Sequence, residues 1–317
     1  MDQISSTCHE TLPVALLKFG PNPDLSLEAA VEKLFVAADF KISSGASVLV
    51  KPNLLKATPL ACTPPDIVAI CCQKLLDLGA KVRVSDSPGF GTCVGVAKTI
   101  GLSEALEPLG LKVTPFGEMV WQTFDLYGAK ARLPVAKAAF EADLIFSMPR
   151  VKAHSQMRLT MAVKNSYGLV GGAHKAIAHT IYGKDSSFFS DLVVALWASL
   201  PKVYTLIDGR IAMHITGPAN GKPYNLNLLA ACQNAALLDL VLARVLQVDF
   251  ASLPLGQALQ KRLGTALDLD KVSYPLEAPK DFNVQGFRVP QILLTTSFAP
   301  HRLIISCLRR LWAALIG

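Results

Sequence analysis

Short apolar runs and amphipathic stretches take turns along the first half of this chain, and that alternation narrows the folds open to it. "LPVALLKF" reads as a strand, and "SLEAAVEKLFVAADF" as a helix capped by Asp24 or Ser26. "ASVLVKPNLL" is a second strand, apolar on both parities as a strand covered on both faces should be. In "TPPDIVAICCQKLLDLG" Thr63 is the expected N-cap, Pro64 the first helical residue and Gly79 the stop. "KVRVSDSPG" gives a third strand, "VGVAKTIGLSEALEPLG" helical turns broken near Gly101, "LKVTPF" a fourth strand and "ADLIFSMPRVKAH" a fifth. A helix "SDLVVALWASLP", a strand "KVYTLIDGR" and a helix around "AALLDLVLARVLQ" follow. This order predicts an α/β fold with a mostly parallel, doubly wound sheet, in two lobes with a cleft at the carboxyl ends of the strands.

No repeat, low-complexity run or linker divides the chain, so residues 1–317 read as one continuous α/β unit. The pattern weakens after Pro254, which makes 250–317 a C-terminal extension. In its tail, "HRLIISCLRRLWAALIG", Ile304, Leu308, Leu311 and Leu315 share one helical stripe. That predicts an amphipathic helix, docked on the core or lying on a membrane surface. The start "MDQISSTCHE" lacks a signal-peptide pattern, and no apolar run is long enough to span a bilayer. The expectation is a cytoplasmic protein with a peripheral membrane contact through that helix. Seven cysteines, none in a C-x-x-C pair, predict buried thiols and no intrinsic iron–sulfur cluster.

Charge is distributed unevenly. Residues 144–184 hold six Lys/Arg and three His with no Asp or Glu, and without them the chain's 31 Lys+Arg against 24 Asp+Glu falls to 25 against 24. So local an excess points to a small anionic ligand. Aromatics are only 7%, without the interleaved stacking residues of a single-strand binder, so nucleic acid is not an expected partner.

Ligands of parallel sheets sit beyond the strand ends, which makes those ends the place to search. Lys51 and Asn53 follow the second strand, and Asp86, Ser87 and Gly89 the third. Lys152 and His154 follow the fifth, and Asp208 ends the strand near Tyr204. Lys164 and Asn165 precede "SYGLVGG", whose Gly171 and Gly172 allow close backbone approach to a ligand. Lys152 beside His154 favours a neutral imidazole, suited to a base near neutral pH. His154, His174, His179, Asp86 and Asp208 are the pool from which a metal site would have to be drawn, but His174 and His179 are not spaced as a helical ligand pair, so no metal site is expected. No nucleophile elbow, Walker loop or zinc-protease motif is present.

Several of these motifs, in order from about 47 to 249, resemble the Domain of Unknown Function three-six-two family: "VLVKPNLL", "LLDLGAKVRVSDSPGFG", "ADLIFSMPRVKAH", "AVKNSYGLVGG", "IDGRIAM" and "LLDLVLAR". Members often carry a ferredoxin-type segment, whose cysteines this chain lacks, and usually have Thr where this chain has Ala153. The resemblance marks Lys51, Asn53, Asp86, Lys152, His154, Lys164, Asn165, Asp208 and Asp239 as motif positions. It also brings a ferredoxin-like electron donor into view as a separate partner. A distant likeness to lactate racemase-type enzymes leaves room for a nucleotide-like or metal-bearing cofactor.

The leading expectation is an enzyme with oxidoreductase or isomerase/lyase-type acid–base chemistry, moving a proton or hydride on a small carboxylate or phosphate-bearing substrate. Lys51, Lys152 and Lys164 would hold the anion, with Asn53 and Asn165 orienting it. His154 would move the proton, with Asp86 or Asp208 setting its tautomer. The alternatives are a redox accessory protein served by a separate iron–sulfur partner, and a non-enzymatic anion-binding module.

Overall fold

Val48, Leu49 and Val50 alternate between two apolar layers, and the whole molecule repeats that arrangement. The computed structural model describes residues 11–294. Within them the chain runs β1 (Leu12–Lys18), α1 (Leu27–Ala37), β2 (Ser47–Pro52), α2 (Pro65–Asp77), β3 (Lys81–Ser85), α3 (Cys93–Thr99), α4 (Leu102–Leu106) and β4 (Val113–Thr114). Next come β5 (Met119–Leu126), β6 (Ala129–Ala136), α5 (Ala138–Glu141), β7 (Leu144–Met148), β8 (Arg150–His154), β9 (Arg158–Thr160), α6 (Ala162–Asn165), α7 (Gly172–Tyr182) and α8 (Ser186–Ala198). Last are β10 (Val203–His214), β11 (Lys222–Cys232), α9 (Ala235–Val245), α10 (Pro254–Leu263) and β12 (Val272–Ser273).

The main sheet has the order β12-β1-β11-β10-β7-β2-β3-β4, with β8 and β9 continuing from β10. From β10 to β4 all neighbours are parallel. On the other side β11 runs antiparallel to both β10 and β1. The sheet is therefore mixed and mostly parallel, as the alternating pattern predicts. One face carries Ala15, Leu17, Val48, Val50, Phe146 and Leu206 against α1 to α4. The other carries Leu16, Leu49, Ile145 and Ile207 against α8, α9 and the β5–β6 hairpin. Burying both faces removes apolar surface from water on each side and leaves the strand ends as the polar edge.

Three local readings change. Helix α2 begins one residue late: Pro64 is the N-cap and Pro65 the first helical residue. Thr63 does not cap it, because its hydroxyl donates to Met148 O at 2.5 Å and accepts from Asn53 N at 2.9 Å, tying the ends of β2 and β7 together. The fifth strand is two strands, β7 and β8, separated at Pro149, which has no N–H for a ladder. The β5–β6 hairpin and strand β11 carry no clear sequence pattern. The hairpin turns on Tyr127 and Gly128, both left-handed (φ 56 and 95), as a two-residue hairpin turn requires. The amphipathic C-terminal helix expected around 303–317 lies outside the described residues. Among the described residues no helix is long and apolar enough to cross a membrane.

Candidate functional site

Three lysines reach the carboxyl edge of the sheet, and the number of acceptors each one meets falls from three to none. Lys51, at the end of β2, is 1% exposed. Its Nζ meets Asp86 Oδ1 at 2.8 Å, Asn165 Oδ1 at 3.1 Å and Pro52 O at 3.1 Å, so all three ammonium protons are spent. Asp86 is held in turn by Leu54 N on Oδ2 at 2.6 Å. Burial lowers the Lys51 pKa, with Asp86 pulling it back. Asp86 is thus the counter-charge of Lys51, whose ammonium also meets Asn165 and Pro52.

Lys152, on β8, donates to Asn53 Oδ1 and to Ala61 O (3.0 Å), which leaves one N–H without an acceptor among the described residues. It is buried without a carboxylate partner, and that burial, aided by the nearby charge of Arg150, brings its pKa down to about 8. Lys164, on α6, goes further. Its Nζ lies 4.3 Å from the centre of the Tyr167 ring and 5.3 Å from that of Phe189, with no oxygen acceptor among the described residues. Burial and then Lys175, Lys152 and Lys51 lower it to about 7.

The surroundings hold Lys164 in place from both sides. Helix α6 is one turn long, and its first N–H groups are taken by the buried carboxylate of Asp239 on α9: Ala162 N at 2.6 Å and Val163 N at 3.1 Å. Burial pushes Asp239 up to about 7 against the opposing pull of those two bonds. Asn165, next to Lys164, accepts from Lys51 and Asn53 and donates to Lys51 O (3.2 Å) and Ser147 Oγ (2.9 Å). Asn53 likewise gives its amide to Asn165 and its carbonyl to Lys152. Both asparagines are thus tied to the lysines. Just after them Gly168 passes directly over the Lys51–Asp86 pair, where a Cβ would collide with Lys51 Nζ and Cε and Asp86 Oδ1.

His154 ends β8. Its Nδ1 accepts from Gln156 N at 3.1 Å and Met157 N at 3.2 Å, which assigns the remaining proton to Nε2. Burial, then Lys164 and Lys152, push its pKa well below the ordinary histidine value. The imidazole is a neutral donor through Nε2, and neither Asp86 nor Asp208 sets its tautomer. The lone pair of Nδ1 is engaged by the backbone, so the ring faces its surroundings as a donor. His179, on α7, lies against Tyr167 (5.1 Å) and Phe189 (4.3 Å), the same rings that carry Lys164.

The other sequence candidates are placed elsewhere. Asp208 is tied to Arg210, which also spans both oxygens of Asp66 at 2.7 and 2.8 Å, so it belongs to an ionic cluster of its own. Ser87 Oγ accepts from Gly172 N at 3.1 Å, and its carbonyl accepts from Lys175 Nζ, joining the start of α7 to the loop after β3. Gly171 gives its N–H to Pro134 O at 3.1 Å and packs on Met119, and Gly89 packs on Leu55. Gly171 and Gly172 thus spend their N–H groups within the protein. For a metal-bearing cofactor the test is the donor set. No three His, Cys, Asp or Glu come together among the described residues, and the Nδ1 of His154 and the carboxylates of Asp86 and Asp208 are engaged. These groups do not make a set of ligands for one.

Residues 48–244 match the model of the family described as Domain of unknown function (DUF362). The chain belongs to that family. A thylakoid-associated protein of Synechocystis sp. is 32% identical over 291 residues, 90% of this chain and 89% of its own length. Among solved structures, the lactate racemase apoprotein from Thermoanaerobacterium thermosaccharolyticum shares 13% identity at a TM-score of 0.42. That alignment takes in 70% of this chain and 54% of the other. A Thermotoga maritima protein shares 13% identity at a TM-score of 0.36, over 65% and 55% of the two chains. This DUF362 chain thus spans little more than half of either structure, and likeness at that level carries nothing about activity.

Sequence reasoning missed the aromatic seat of Lys164. Tyr167 follows at i+3 on the same run, a spacing that could have flagged it, whereas Phe189 comes from α8 and no local pattern announces it.

Proposed function

We propose that this DUF362 protein is an enzyme that binds a small carboxylate- or phosphate-bearing substrate and moves a proton on it, with Lys164 as the acceptor. The observation that carries the reading is the Lys164 amine, set on two rings with Lys175, Lys152 and Lys51 as its charged neighbours among the described residues. A side chain that folding alone had shaped would have its charge matched by a carboxylate, as Lys51 is by Asp86. An unmatched amine titrating near neutrality suits a general base. The Nε2–H of His154 and the spare N–H of Lys152 are donors for the substrate's oxygens.

The test is thermal unfolding with lactate or inorganic phosphate added. An anion that binds the folded state raises the midpoint progressively, with the logarithm of its concentration once the site is saturated. The expected rise is lost in Lys164→Met and kept in Arg210→Lys, and equal rises in all three proteins would defeat the reading.

The resemblance to a thylakoid-associated protein supports peripheral attachment to a membrane, and the apolar stripe in the sequence of residues 303–317 is the segment we propose for it. Vesicle flotation with and without those residues checks it, and identical flotation of the two forms removes it.

A further inference from the structure

We infer that Lys164 is a nucleophile as well as a base, and that the site takes a 2-oxo carboxylate as an imine on its Nζ. This rests on the anion-site reading and names the carbonyl as the second group the substrate must carry.

The geometry argues for nucleophilic chemistry. A protonated amine holds no lone pair for attack, and most protein lysines are protonated because water or a carboxylate stabilises the charge. Lys164 has neither a carboxylate nor an oxygen acceptor among the described residues, only the faces of Tyr167 and Phe189. Its charged neighbours are Lys175, Lys152 and Lys51. A desolvated amine close to other cations is the recognised way to prepare a lysine for attack on a carbonyl. The anchoring is equally specific. Asp239 fixes the start of α6 and Asn165 its end, so the amine is presented from a one-turn helix held at both sides.

The neighbours restrict which carbonyl compound fits. Lys152 keeps one N–H unspent, and the surrounding cations favour a carboxylate beside the carbonyl over a neutral aldehyde. The step balances without an outside oxidant or reductant. The Nζ lone pair forms a bond to the carbonyl carbon, and the C=O π electrons move to oxygen, which takes a proton. The nitrogen then loses its protons as the C–O bond breaks, releasing one water and leaving the C=N bond. His154, neutral and protonated on Nε2, is a donor suited to the carbonyl oxygen.

The experiment is reductive trapping of the full chain with pyruvate and cyanoborohydride near neutral pH, followed by peptide mass mapping. The expected product is one adduct per chain on Lys164, with the mass of pyruvate less water plus two hydrogens. Lys164→Arg keeps the charge and should abolish the adduct. If that variant fails to fold, the wild-type map still decides. Adducts confined to surface lysines, or undiminished in Lys164→Arg, overturn the imine. Lactate, which has the carboxylate and no carbonyl, separates this failure from that of the parent reading. If lactate stabilises the protein while pyruvate leaves no adduct, the imine is wrong and the anion site stands. If neither acts, both are wrong.

Discussion

Arg210 and Lys164 are both cations drawn into the polar edge of one molecule, and they are treated in opposite ways. Arg210 is surrounded by acids, with Asp66 on two nitrogens and Asp208 at 2.8 Å. Lys164 is surrounded by rings and other cations. The first arrangement is electrically complete and leaves nothing for a ligand to add. The second is incomplete: no acid balances Lys164 among the described residues. Lys51 sides with Arg210, Lys152 stands between the two, and this gradation separates scaffold from site better than residue type does.

The sharpest way to break that comparison is to remove a matched cation. Lys51→Met strands the Asp86 carboxylate in the interior, and Arg210→Met does the same to Asp208. Each should cost about 3–5 kcal/mol of unfolding free energy in urea titrations. A cost of only a few tenths for either would show that the matched pairs are not what holds this edge. Gly168→Ala is next, since its Cβ must displace the Lys51–Asp86 pair or the backbone over it. About 1–3 kcal/mol is expected from the same titration.

An unmatched cation should behave differently. Lys164→Met should leave neutral-pH stability within about 1 kcal/mol of wild type, or raise it, because no acid is orphaned. A loss as large as that of Lys51→Met would mean that Lys164 is structural. The same residue also predicts a pH dependence. Lys164 titrates near 7 when folded, against an ordinary value of 10.5. Between those values the unfolded chain binds more protons at this residue, so stability rises with pH there and the contribution is flat below. The buried thiols work in the other direction above neutrality, since burial raises Cys71, Cys72 and Cys232. The clean observable is the stability of wild type minus that of Lys164→Met, which should climb from pH 7 to pH 10. A constant difference would place the folded pKa at its ordinary value.

Much of the edge is legible in the sequence. The carboxyl ends of parallel strands share one edge, so Lys51, Asn53, Asp86 and Lys152 could be gathered from sequence, and the structure does link them, with Asn165 of α6 between, by hydrogen bonds or ion pairs. Which of them were already satisfied could not be read, because saturation is a count of acceptors supplied from distant segments. The three partners of Lys51 come from positions 52, 86 and 165. His154 shows the same limit, since two backbone N–H groups decided its tautomer and neither has a side-chain signature. The β5–β6 hairpin escaped because its turn is Tyr-Gly and its alternation is interrupted by Pro134 in β6.

Strand β8 has a consequence for how such a site can change over time. Arg150, Lys152 and His154 share one parity, and Val151 and Ala153, both fully buried, share the other. Inserting or deleting a single residue between Pro149 and His154 would exchange the two sets, turning cations into an apolar layer and methyl groups toward the lysines. Length variation is therefore closed to this segment, whose pairing with β9 and β10 depends on the register staying fixed. The spacing of "RVKAH" is the part of this edge that related chains must keep.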